Sequence, residues 1–117
     1  MLMLNHSEKF GHELIEKLNN IIEREMDKGG PAIDLICKDL GMSRTTLYRE
    51  IASYTGKGVK AYIRDYKLRK AYSLLASGDI TISEVALIIG YKNLSSFSKS
   101  FKDAYGYCPS NFLRTQR

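Results

Sequence analysis

IDLICKDLGMSRTTLYREI, residues 33–51, returns in altered form as ISEVALIIGYKNLSSFSKSF, residues 82–101. Ile33, Ile36, Leu40 and Gly41 fall on Ile82, Val85, Ile89 and Gly90, 49 residues later. With one residue inserted near Asn93, Leu47, Arg49, Ile51 and Gly56 fall on Phe97, Lys99, Phe101 and Gly106 at an offset of 50. Tyr62, Ile63 and Arg64 extend the match to Phe112, Leu113 and Arg114. Apolar sites at helical spacing, a turn glycine and a basic site all persist. A short helix, a glycine turn and a second helix make a helix-turn-helix, and its repetition predicts a molecule that reads DNA at two places.

The flanking sequence fits the same plan. Phe10, Leu14, Ile15, Leu18, Ile21, Ile22 and Met26 form one apolar stripe, which predicts an amphipathic helix from Ser7 to Lys28, ended by Gly29, Gly30 and Pro31. Helices are expected over 33–40, closed by Gly41, and over 44–54, capped by the Ser43 hydroxyl and stopped at Gly56. A longer helix follows over 59–77, with Tyr62, Ile63, Tyr66, Ala71, Leu74 and Leu75 inward and Lys60, Arg64, Lys67, Arg69 and Lys70 outward. Thr81 with Glu84 has the spacing of a capping box for a helix reaching Ile89. Asn93 caps a helix over 94–105, and Pro109 opens a last short one. The fold expected is all-α: 1–30 an N-terminal helix packing on the first unit, 31–57 the first helix-turn-helix, 58–78 a linker helix, and 79–117 the second unit with a terminal helix. With 117 residues these belong to one domain.

Charge is distributed unevenly. Residues 1–41 hold five Lys/Arg against eight Asp/Glu, a balance of −3, so the remaining 42–117 hold thirteen against five, or +8. Residues 42–72 alone carry eight basic and two acidic groups. A basic block inside a periodic, folded sequence is the electrostatic footprint of a nucleic-acid binder. No apolar run approaches the length of a membrane span, and the start has no signal-peptide pattern. Cys37 and Cys108 lack CxxC spacing, and Cys37 reads as a small core hydrophobe, which suggests a reducing, cytoplasmic setting. His6 and His12 have no ligand cluster around them, so neither a metal nor another cofactor is expected. The sequence holds no nucleophile–base pair, phosphate-cradling glycine loop or paired carboxylates, which speaks against an enzyme.

In a helix-turn-helix the first turns of the second helix face the bases in the major groove. If Leu47 and Ile51 point inward, the opposite face shows Arg44, Thr45, Tyr48 and Arg49. Arginine forks onto guanine or phosphate, threonine meets a thymine methyl, and tyrosine reaches the backbone. With Phe97 and Phe101 inward, the second unit shows Leu94, Ser95, Ser96 and Lys99, a set better suited to anchoring. The first unit is therefore expected to carry most of the discrimination. Arg64, Lys67, Arg69 and Lys70 on the linker, with Ser43, Asn93 and Lys102, are expected at phosphates.

These residues carry a family resemblance. The segment 34–114 resembles the DNA-binding domain of the AraC/XylS transcription regulators. The more specific half holds Ile82-Ser-Glu-Val-Ala86, Gly90-Tyr91, Ser96-Phe97-Ser98-Lys99, Phe101-Lys102, Gly106 and Pro109 with Phe112; Gly41-Met-Ser43, Leu47-Tyr-Arg49 and Gly56 agree more loosely. The resemblance implies seven helices, two helix-turn-helix units joined by a long helix, and double-stranded DNA bound through two adjacent major grooves. It places the family's base-contacting sites at Thr45, Tyr48 and Arg49 and at Leu94, Ser95, Ser96 and Lys99. It also implies RNA polymerase as a partner and a sensor or receiver domain outside this segment, and it admits a membrane-anchored parent. Two positions depart from the family pattern. Lys99 stands where arginine is common, and Cys108 where serine or threonine caps the last helix. The segment looks most like the output domain of bacterial two-component hybrid regulators; a stand-alone regulator and a helical protein-interaction module are the alternatives.

Overall fold

The computed structural model describes residues 6–115, with side chains placed for 8–112. Seven α-helices run in order: α1 (His6–Glu25), α2 (Ile33–Leu40), α3 (Arg44–Thr55), α4 (Val59–Ser77), α5 (Ile82–Ile88), α6 (Leu94–Tyr105) and α7 (Pro109–Thr115). A 3-10 turn, Met26–Lys28, extends α1, where the sequence predicts unbroken helix to Lys28. No strand occurs among the described residues. The side chains of Leu113 and Arg114, the last positions of the repeat, lie outside those described.

Local chemistry accounts for the boundaries. The Ser43 hydroxyl accepts the Thr46 N–H at 3.2 Å, and the Asn93 side-chain carbonyl accepts that of Ser96 at 2.8 Å. Thr81 and Glu84 close a full capping box, with reciprocal bonds of 3.1 and 3.2 Å. Each satisfies backbone donors that a helix start leaves unpaired. Gly41 ends α2 at φ +66°, and its repeat counterpart Gly90 turns between α5 and α6 at φ +85°. Side chains rarely adopt this left-handed region, so the turn favours glycine at both places.

Packing divides into two lobes that share α4. In the first, Leu18, Ile22, Ile36, Leu47 and Ile51 are fully buried where α1 covers α2 and α3. The second is aromatic: Phe101 has Tyr105, Phe97, Tyr107 and Phe112 around it with ring centroids 4.7–6.4 Å away. Early in α4, the Tyr62 hydroxyl donates to the Asn19 side chain of α1 at 2.6 Å. Later in α4, Tyr72 packs edge-on against Phe112 at 4.8 Å. Burial on this scale is the main driving force of folding.

Because α4 is covered on more than one side, it is not a simple amphipathic helix. This corrects several of the inward and outward assignments along the helix. Lys67 does not face outward: it is 9% exposed and stands in the ladder Val59, Ile63, Lys67, Ala71, Leu75, whose other members are buried. Tyr66 and Leu74, expected inward, are half-buried. The N-terminal helix packs on α2 and α3, and its 3-10 turn also packs against α5.

Candidate nucleic-acid interface

Leu47 and Ile51 are fully buried beneath α3, and that fixes what the helix can present. Arg44, Thr45, Tyr48 and Arg49 are all exposed, Tyr48 to 43%. The Arg44 guanidinium donates from Nη2 and Nε to one Asp34 oxygen, at 2.6 and 3.1 Å. That bond foremost holds Arg44 above the ordinary arginine pKa. Arg49 touches Glu50 at 3.4 Å. Exposed pairs of this kind are weak, so both guanidiniums are free to exchange carboxylate for phosphate or base.

On α6, Phe97 and Phe101 turn fully inward, leaving Leu94, Ser95, Ser96, Lys99 and Lys102 exposed. Ser43 and Asn93 serve as N-caps, so their side-chain oxygens are occupied by helix N–H groups. Lys92, one residue before the Asn93 cap, is also exposed. Sequence reasoning passed it over, although a lysine in the turn before a recognition helix is a plain signal for a phosphate contact. Cys108 does supply a partner for the start of α7: its carbonyl accepts the Asn111 N–H at 2.9 Å, and Pro109 and Phe112 are buried beside it.

The four basic residues expected at phosphates along α4 have separate fates. Arg64 is exposed beside Asp65 at 3.5 Å, and Arg69 is exposed with its guanidinium 5.9 Å from the Tyr66 ring. Lys70 bonds Glu23 of α1, and that bond foremost lowers the Glu23 pKa from its ordinary value. Lys67 is withdrawn from any phosphate: its amine donates to the Gly29 carbonyl at 3.1 Å and lies 4.5 Å from the Tyr91 ring centroid. Burial pushes its pKa down. An amine held this way carries its charge inside the fold. With 19 residues, α4 spans about 28 Å at 1.5 Å per residue, against roughly 34 Å between successive turns of major groove.

Among the described residues no three His, Cys, Asp or Glu side chains come together to hold a metal ion, and no helix is long and apolar enough to cross a membrane. Residues 36–115 match the family model of the helix-turn-helix domain. The chain belongs to the AraC/XylS family of DNA-binding domains. The AraC/XylS domain is 34% identical over 83 residues to the xylose operon regulatory protein of Escherichia coli K12, covering 71% of this chain and 21% of that protein. It is 30% identical over 100 residues to histidine kinase P4 of Formosa agariphila, covering 86% of this chain and 7% of that one. Among solved structures, the C-terminal domain of AraT, a response regulator from Geobacillus stearothermophilus, superposes with a TM-score of 0.77 at 25% identity, over 87% of this chain and 84% of that one. The chain thus spans only a small part of the curated relatives it matches. It is a DNA-binding transcription-regulator domain rather than an enzyme.

Proposed function

We propose that the AraC/XylS domain seats α3 and α6 in successive major grooves on one face of a duplex, with α3 reading sequence and α6 chiefly anchoring. The observation that carries this is the contrast between the two exposed faces, Arg44, Thr45, Tyr48 and Arg49 on α3 against Leu94, Ser95, Ser96 and Lys99 on α6. Two arginines and a tyrosine offer directional contacts to bases and backbone, whereas two serines and a lysine suit the phosphates. Lys102, Arg64, Arg69 and Lys92 add sequence-independent attraction that falls with salt. Lys70 joins them only by giving up Glu23.

In this reading the domain is the output part of a larger signal-responsive regulator in the cytoplasm, joined to a sensor or receiver domain and acting with RNA polymerase. The small fraction of each curated relative that it spans supports that, as does its likeness to a response-regulator domain. The test is a binding titration across salt on a selected duplex and on random DNA. Arg49→Ala should cost about 1–3 kcal/mol on the selected duplex alone, while Lys102→Ala should weaken both about equally and reduce the salt slope by about 1. Affinity indifferent to salt, or equal losses for both variants on both duplexes, refutes the assignment.

A further inference from the structure

Three parts of the chain meet at the Lys67 amine. From α4 it reaches the Gly29 carbonyl, at the end of the N-terminal helix, at 3.1 Å, and on its other side it lies 4.5 Å from the ring of Tyr91, in the turn of the second helix-turn-helix. At Gly90, the residue before that ring, the two backbones are so close that a Cβ would sit 2.6 Å from the Gly29 nitrogen. A buried lysine is costly unless its charge is satisfied, and here a carbonyl and an aromatic face share the task. Neither partner belongs to α4, so the amine is satisfied only when the N-terminal segment and the second unit are both in place. Burial pushes its pKa down.

We propose that Lys67 is a positioning residue that fixes the second helix-turn-helix unit against the end of the N-terminal helix, and so sets the aim of α6 relative to α3. The bridge also gives the chain preceding α2 a mechanical route to the second reader. A hydrophobic contact alone would tolerate sliding; a directional N–H bond and a ring face together do not.

The test separates the joint from DNA binding. Spin labels at Ser53→Cys on α3 and Asp103→Cys on α6, both exposed positions, report the separation of the two helices in a Cys37→Ala, Cys108→Ala background. With Lys67 the distance distribution should be a single narrow peak. In Lys67→Met, which keeps the volume of the stem, the protein should stay folded while the peak broadens at least about twofold, as when a packed joint exchanges between arrangements. Lys67→Arg should restore it. Should Lys67→Met not fold, Tyr91→Leu, which removes the ring beneath the amine, takes its place with the same expectation. An unchanged peak in the folded variant overturns the proposal. The second arm rests on the two-groove reading and uses duplexes selected from a random pool, with their half-sites then moved apart by a few base pairs. Respacing should cost the parent protein about a hundredfold in affinity as simultaneous engagement is lost, and Lys67→Met about tenfold or less. Equal losses contradict the joint's role. No DNA binding by the parent protein would sink the two-groove reading and leave the label distances to decide Lys67 alone.

Discussion

Gly41 and Gly90 occupy the same place in the repeat, yet alanine should be tolerated at one and not at the other. Both have left-handed backbones, φ +66° and +85°, so alanine pays about 1–2 kcal/mol of backbone strain at either. At Gly41 a Cβ meets nothing within 4 Å, and strain is the whole cost. At Gly90 it would lie 2.6 and 2.7 Å from the Gly29 nitrogen and Cα, and closer still to the Met26 carbonyl oxygen. Backbone atoms cannot rotate aside, so the 3-10 turn and α5 must part. Met26, 2% exposed, and Ile89, fully buried, lie at that contact. Complete burial of such a side chain stabilises by about 1.5–3 kcal/mol, so exposing roughly half of each adds about 1.5–3 kcal/mol. Gly90→Ala should therefore cost about 2.5–5 kcal/mol and Gly41→Ala about 1–2 kcal/mol. Urea unfolding followed by far-ultraviolet circular dichroism measures both, with equal m-values needed for the comparison. Losses that agree within about 0.5 kcal/mol would refute the close approach of the two backbones.

Two further expectations follow from the exposed and half-buried charges. Asp34→Ala frees Arg44 and removes a negative group beside α3, so affinity for random DNA should rise more than affinity for a selected duplex; a fixed ratio of the two affinities would show that Asp34 has no part in discrimination. The Tyr66 phenol is pushed from 10.0 up to about 12, first by burial and then by its hydrogen bond to Glu23. Its folded pKa is raised, so its stabilising effect is complete below pH 10.0 and is lost as pH rises through about 12. Absorbance titration should show a late tyrosine that Glu23→Gln brings earlier, and an unchanged curve in that variant would contradict the bond.

Much of this was legible from spacing alone. The helix starts at Arg44, Ile82 and Leu94 were announced by Ser43, Thr81 and Asn93, because a cap is a local bargain between one side chain and the next turn of backbone. The faces of α3 and α6 followed from Leu47/Ile51 and Phe97/Phe101 for the same reason. Lys67 defies the rule that a charged residue faces solvent, although its place in the four-residue ladder of Val59, Ile63, Ala71 and Leu75 puts it inside an apolar stripe. Its environment is made by Gly29 and Tyr91, 38 residues before and 24 after, and no local periodicity encodes that meeting. The Asp34–Arg44 pair escaped similarly. It closes across the turn between α2 and α3, so it depends on the angle between two helices rather than on the sequence of either.

The helix-turn-helix scaffold is duplicated, but the exposed faces proposed to meet DNA are not. Selection of bound duplexes from a random pool decides whether the two units read unequally. Two half-motifs one helical turn apart should emerge, the one under α3 sharply defined and the one under α6 loose. A single short motif, or two halves defined equally well, would contradict it.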